Sequence, residues 1–162
     1  MRFTRWFTGR GDQGTTDLMH GKRVKKSNPI INALGNIDEL SAHLGACRVA
    51  LGETHEYSRI LYNRQKELVS LMGCLVSGYE FDGIKNISKD LAELTKKIEM
   101  PHEFIISGNN KAEVAVNIAR TVCRRAERYA VIARAGEDIT SYLNRLSSLL
   151  FLLTVALKDY KD

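Results

Sequence analysis

Proline is almost missing: the 162 residues contain two, Pro29 and Pro101. Aromatic residues are sparse at 7%, with a single tryptophan. Both scarcities argue against a β-sandwich and for helices. There are three cysteines, Cys47, Cys74 and Cys123, far apart and never in CxxC spacing. That excludes a disulfide framework and a thiolate zinc site, and it reads as buried reduced thiols in a reducing compartment. Long apolar runs are lacking too. Leu149–Leu157 is the longest, and Thr154 interrupts it, whereas a membrane span needs about 20 residues. No apolar stretch follows Met1-Arg2-Phe3-Thr4-Arg5-Trp6, so no signal peptide is expected. These absences predict a cytoplasmic chain with no membrane segment.

What is present suits a folded protein. Hydrophobic residues make up 44% and charged residues 27%, and the length fits a single domain over residues 1–162. The net charge of +5 favours an anionic partner or a solvated basic surface. No period of 20–50 residues repeats, which excludes a solenoid.

Residues 1–27 are rich in Gly, Thr, Lys and Arg and have no helical period, so they read as a loop segment. Helical spacing begins after Asn28-Pro29, a good N-cap and first-turn pair. Ala33, Ile37, Leu40, Leu44, Cys47 and Leu51 form a heptad seam that Gly52 ends. A second helix is predicted from about Thr54 to Tyr79, with Leu61, Leu68, Leu71 and Leu75 on one stripe. A third follows Asp82-Gly83, carries Ile87, Leu91, Leu94 and Ile98, and closes before Pro101. Phe104 to Gly108 reads as an apolar connector. The fourth helix is expected from about Asn110 to Ala135, with Ala115, Ala119, Val122, Ala126, Tyr129 and Ala133 inward. Gly136 should end it, and Asp138 should cap a fifth helix bearing Leu143, Leu146, Leu150, Leu153, Leu157 and Tyr160. No alternating strand pattern appears. The expectation is an all-α, five-helix antiparallel bundle over 28–162, preceded by a Gly-rich N-terminal loop.

Two segments could carry chemistry. In Thr8-Gly9-Arg10-Gly11-Asp12-Gln13-Gly14-Thr15-Thr16, glycines let backbone N–H groups approach an anion, and Asp12 could hold magnesium. Thr15 stands where a P-loop has lysine, which argues against a Walker-type NTPase. Lys22, Arg23, Lys25 and Lys26 could supply charge, so the segment is either a phosphate cradle or a flexible basic tail. On the fourth helix, Arg120, Arg124 and Arg128 are four apart and stack on one face, where like charges repel. An anion or carboxylate would neutralise them, and guanidinium suits phosphate. Asp38-Glu39 borders the first seam, and Asp38 is the obvious match for a fourth-helix arginine. Asn144 and Phe151, seven apart, share a face of the fifth helix. Metal chemistry is disfavoured: Pro101 splits Glu99 from His102, and Glu39 with His43 reads as a surface pair. A nucleic-acid-binding bundle is a competing reading, but its loop offers only Trp6 and Phe7 for stacking.

The order of motifs is more specific than any one of them. The Gly-rich loop is followed by Lys26, then Gly35-Asn36-Ile37-Asp38-Glu39-Leu40, then Ala119 to Arg128, then Tyr142-Leu143-Asn144-Arg145-Leu146-Ser147. This resembles the PduO-type ATP:cob(I)alamin adenosyltransferase family over nearly the whole chain. The resemblance implies a five-helix bundle forming a homotrimer with active sites between subunits. It implies transfer of the 5′-deoxyadenosyl group of ATP to the cobalt of a reduced corrinoid, releasing triphosphate, with magnesium assisting. A protein that kept the fold as a non-catalytic nucleotide or corrinoid binder is the alternative. By the resemblance, Thr8, Gly9, Arg10, Gly11, Asp12, Gly14, Thr15, Thr16 and Lys26 would wrap the triphosphate. Arg124, Arg125, Glu127, Arg128 and Asn144 would complete the nucleotide site, and Glu127 is the candidate protein ligand for triphosphate-held magnesium. Asp38 and Arg120 match an intersubunit ion pair on the corrinoid side. Phe104 matches the aromatic that excludes cobalt's lower ligand, and Phe151 matches a second pocket aromatic. Arg120, Arg124, Asp38 and Phe104 are thus the candidate catalytic residues. Implied partners are further copies of the chain, a corrinoid reductase and an adenosylcobalamin-dependent enzyme. The sequence departs from the family's Pro-Gly-Gly turn at Ser107-Gly108-Asn109, and has Ser41 and Ser148 where asparagine and aspartate are usual.

Overall fold

The computed structural model describes residues 9–99, 101–103 and 105–160. Five helices dominate: α1 (Pro29–Leu51), α2 (Glu56–Ser77), α3 (Ile84–Lys97), α4 (Lys111–Ile132) and α5 (Glu137–Ala156). The all-α expectation holds, with one addition. Two three-residue strands, β1 (Thr15–Asp17) and β2 (Arg23–Lys25), pair antiparallel with Thr16 opposite Val24. Three residues are too few for alternation to be visible in sequence.

Local chemistry sets the helix ends. Asn28 Oδ1 accepts from Ile30 N–H at 2.9 Å, and Pro29 opens α1. His55 caps α2, its Nδ1 accepting from Tyr57 N–H at 3.1 Å. Asn110 caps α4 through Glu113 N–H at 2.8 Å. The end of α4 differs from expectation. Arg134, at φ 57°, supplies the left-handed residue, with Ala135 N–H bonded to Ala130 O and Arg134 N–H to Val131 O. This is a Schellman closure without glycine. Gly136 instead stands at the N-cap of α5, and Asp138 is not its cap. Asp138 accepts from Phe81 N–H, tying α5 to the turn before α3.

The helices pack in the lateral order α2–α1–α4–α5–α3, and α2 also meets α5. Successive helices alternate in direction. Neighbours α3 and α5 therefore run the same way, as Ser88 opposite Arg145 and Thr95 beside Phe151 show. The core holds the predicted α1 seam and Leu61, Leu68 and Leu71 of α2. On α4 the buried face is Ala112, Val116, Ala119, Val122, Cys123, Ala126 and Ala130; Ala115, Tyr129 and Ala133 are only half-buried. Two neighbours, α1 and α5, widen the buried stripe beyond one heptad seam. By length and composition α5 could cross a bilayer, contrary to the reading from apolar runs, yet 56% of that stretch is buried against its neighbours. That is the pattern of a core helix, which must be apolar on several sides.

Candidate functional site

The N-terminal loop is built around Lys26. Two turns, Asp12 N–H to Gly9 O at 3.1 Å and Gly14 N–H to Gly11 O at 3.2 Å, fold it back. Lys26 N–H then bonds Gly14 O at 2.8 Å. A Cβ on Gly11 would lie 3.3 Å from Lys26 Nζ, so the missing side chain is what lets the ammonium approach. Asp17 holds the hairpin by accepting from Arg23 at 3.0 Å and facing Arg10 at 3.5 Å. Asp12 and Gly14 are exposed; Thr15 and Thr16 are half-buried. Thr8 lies outside the described residues. Asn28 N–H bonds Lys25 O, so the hairpin sits on the N-terminal tip of α1. That tip lies beside the C-terminal end of α4, where Ile30 shares a small pocket with Ala133, Arg134 and Ala135.

The α4 arginines divide between two flanks of their helix. Arg125 faces α1: its Nε donates to Asn36 Oδ1 at 2.8 Å, and its Nη2 pairs with Glu39. Glu39 is also 4.0 Å from His43 Nε2. The α1 carboxylate that meets an α4 arginine within the chain is therefore Glu39, while Asp38, one residue and about 100° around the helix, is exposed. Arg120, Arg124 and Arg128 lie along the other flank. Arg120 Nε donates to Asn117 Oδ1 at 2.9 Å, and Arg128 Nη1 to the Arg124 carbonyl at 3.0 Å. Arg124 and Arg128 are exposed.

Two adjoining clefts open on that flank, and Arg120 and Phe151 are in the walls of both. One, of about 490 Å³, also has Leu91, Thr95, Arg124 and Ser148. The other, of about 360 Å³, has Pro101, His102, Ile105 and Asn117. Along the antiparallel pair, Arg120 lies beside Phe151 and Arg124 beside Ser147 and Ser148. The same register leads on toward Arg128 and Asn144. Asn144 is exposed, and its carbonyl accepts from Ser147 and Ser148 hydroxyls. Phe104 lies outside the described residues, although its neighbours Glu103 and Ile105 line the second cleft.

Cations beside an apolar wall suit a large, partly anionic ligand. Among the described residues no thiol lines either cleft. Cys123 is buried and bonded to Leu143 O at 3.3 Å, and burial pushes its thiol up. Burial likewise pushes the Cys47 thiol up to about 12. Among the described residues no three His, Cys, Asp or Glu side chains gather to hold a metal. In the loop and hairpin, Asp12 and the Thr15 and Thr16 hydroxyls are oxygen donors, the kind magnesium prefers.

The profile of the cobalamin adenosyltransferase family matches residues 6–157. The chain belongs to that family. A cobalamin adenosyltransferase from Cupriavidus metallidurans is 36% identical, the match covering 94% of this chain and 87% of that one. Corrinoid adenosyltransferase PduO from Salmonella typhimurium is 32% identical over 93% of this chain, which spans about half of it (48%). A variant PduO-type ATP:corrinoid adenosyltransferase from Lactobacillus reuteri, solved with cobalamin and ATP, superposes with a TM-score of 0.86 at 22% identity, covering 96% of this chain and 94% of that one. At that identity the likeness shows the fold. A second variant of it, complexed with ATP, is 25% identical with a TM-score of 0.83, covering 94% of each chain.

Sequence reasoning missed a buried polar cluster across the bundle. Arg64 is 2% exposed and on the α2 seam; its Nη2 lies 3.0 Å from Glu67 Oε1 and 3.5 Å from Asp90. Tyr142 donates to Glu67 Oε2 at 2.7 Å, and Asn86 to Oε1 at 3.1 Å. Burial, then the Glu67 charge, raise the Tyr142 phenol well above its ordinary value, so it stays a donor. The available signal was an arginine interrupting the Leu61–Leu68–Leu71 stripe.

Proposed function

We propose that the chain transfers the 5′-deoxyadenosyl group of ATP to the cobalt of a reduced corrinoid. Cobalt(I) would donate an electron pair to the 5′ carbon, the carbon–oxygen bond to the triphosphate would break, and that pair would leave with triphosphate. The metal of the substrate is the nucleophile, so the protein need not supply one and can devote its site to cations and apolar walls.

The observation that carries this reading is the exposed guanidinium flank of α4 beside Phe151, in a chain of this family. Arg124 and Arg128 would bind the triphosphate and stabilise charge as it leaves, each well-placed donor contributing about 3 kcal/mol. Lys26, cradled by the glycine loop, would do the same from the hairpin, with Thr15, Thr16 and Arg10 around it. Asn144 and Glu127 would complete the nucleotide site. Arg125 would join by exchanging Asn36 and Glu39 for phosphate. Arg120 and Phe151 would face the corrinoid, with Phe104 supplying the group that excludes cobalt's lower ligand. Holding the 5′ carbon in line with cobalt accounts for about 7–11 kcal/mol of the barrier. Magnesium, when bound to the triphosphate, neutralises part of its charge.

The whole chain would act as one unit, residues 1–27 forming its nucleotide-binding segment. The assembly would be a homotrimer in the cytoplasm, served by a corrinoid reductase and feeding an adenosylcobalamin-dependent enzyme. Two features support sites between copies. Asp38 is an exposed acid on α1, opposite in charge to Arg120. The hairpin also rests on α1, whereas the arginine row flanks α5.

The deciding experiment is an anaerobic assay with ATP, magnesium and chemically reduced cobalamin, followed by the absorbance change on carbon–cobalt bond formation. Turnover with triphosphate release is expected, together with a loss greater than about tenfold in Arg124→Ala. No turnover in the unsubstituted protein, or an unimpaired Arg124→Ala, would overturn the assignment.

A further inference from the structure

The connector between α3 and α4 forms one wall of the second cleft through Pro101, His102, Glu103 and Ile105. Its downstream end is held by one carboxylate. Glu113, in the first turn of α4, is completely buried. Its Oε1 accepts from the Ser107 hydroxyl at 2.6 Å, and its Oε2 from Gly108 N–H at 2.9 Å and Asn109 N–H at 3.2 Å. In an ordinary capping box the third helical residue reaches back to the N-cap N–H. Here it reaches past the N-cap, Asn110, to the three residues before it. Asn110 is itself engaged on both sides: Oδ1 accepts from Glu113 N–H, and Nδ2 donates to Leu157 O at 2.7 Å at the end of α5. Connector, α4 and α5 are thereby fastened at one point, at the end of the clefts nearest Phe151 and Thr154.

A buried carboxylate is costly unless donors surround it. Three donors from the connector satisfy this one, so the connector cannot lift without stranding the charge. Gly108, at φ 138°, allows two successive N–H groups to converge.

We propose that Glu113 is a positioning residue that sets the connector wall of the cleft, and through it the binding of the corrinoid but not of the nucleotide. The inference rests on the adenosyltransferase reading. Glu113 touches neither substrate. Its influence passes through the Ser107–Asn109 backbone to the side chains of Pro101, His102, Glu103 and Ile105.

The test compares Glu113→Gln and Ser107→Ala with the unsubstituted chain. Glu113→Gln keeps the shape but turns an amide N–H₂ toward a donor; Ser107→Ala removes a single hydrogen bond and leaves the carboxylate two. Corrinoid and ATP KM, kcat, ATP affinity by calorimetry and thermal midpoint are measured for all three. Glu113→Gln should raise the corrinoid KM at least fivefold and Ser107→Ala about two- to threefold. ATP affinity should stay within twofold in both, even though each variant, having weakened the hydrogen bonding of a buried carboxylate, melts below the parent. A merely structural role would move ATP and corrinoid constants together with the midpoint, and that result would overturn the proposal. So would unchanged corrinoid constants in Ser107→Ala, whether or not Glu113→Gln folds. Failure of the functional reading looks different, because the parent protein itself would then show no adenosyl transfer.

Discussion

Replacing Tyr142 by phenylalanine isolates one hydrogen bond in the buried cluster that joins α2, α3 and α5. Tyr142 is fully buried, and its ring stands edge-on to Phe81 at 5.0 Å and 87°. Phenylalanine keeps that ring and leaves no cavity of consequence. What disappears is the donor to Glu67 Oε2 at 2.7 Å. Hydrogen bonds to charged groups contribute about 1.5–3 kcal/mol, largely because an abandoned carboxylate must be desolvated without compensation. Glu67 keeps Arg64 and Asn86 on its other oxygen, and its side chain is 15% exposed, so water can partly replace the phenol. The lower part of the range applies, about 1.5–2 kcal/mol. For a chain of this size that lowers the thermal midpoint by about 3–8 °C. Circular dichroism melts of the two proteins at matched concentration give the comparison. A shift below about 1 °C would show that the phenol–carboxylate bond contributes nothing and that Glu67 is solvated in the native state.

Three further outcomes follow from the geometry. Arg134→Gly should stabilise the protein by about 1 kcal/mol, because the left-handed position costs an L-residue that much; equal or lower stability in a denaturant titration would contradict the closure described for α4. Gly11→Ala should weaken nucleotide binding by about an order of magnitude while leaving the melting point in place, since the one tight approach of its Cβ is to the movable end of Lys26, Thr15 O lying at an ordinary 3.6 Å; calorimetry giving parental affinity would remove Lys26 from the site. Of the three thiols, only Cys74, half-buried, should react with an aromatic disulfide reagent in the native state, and all three after unfolding, because burial keeps Cys47 and Cys123 protonated at neutral pH. Rapid native labelling of two or more would mean the α1–α4 interior is open.

The helices were legible because their seams are regular and their boundaries carry chemical markers. Asn28-Pro29, Gly52, Asp82-Gly83 and Asn110 each stand at or beside an observed terminus. Arg134 was not legible as a terminus, since nothing in an arginine announces positive φ. The hairpin escaped because pairing of three residues is decided by Asp17, Arg23 and the backbone, not by alternation. The row Arg120–Arg124–Arg128 could be read as one flank from its spacing. That Arg125 meets Glu39 rather than leaving α1 to Asp38 could not, because adjacent carboxylates on a seam's edge look alike until the helix rotation is known. Glu113 carried no signal in the sequence; only the folded connector reveals three donors aimed at it.

The two flanks of α4 constrain how the chain can vary. Arg124 and Arg125 are neighbours in sequence, yet one opens on a cleft and the other clasps α1. A single residue gained or lost between Asn110 and Arg120 would turn every later side chain by about 100°. The clasp would swing toward solvent and the cleft would lose its charge in one step. Length in this stretch is therefore as closely determined as composition, and descendants of this chain can accept changed residues there far more readily than changed spacing.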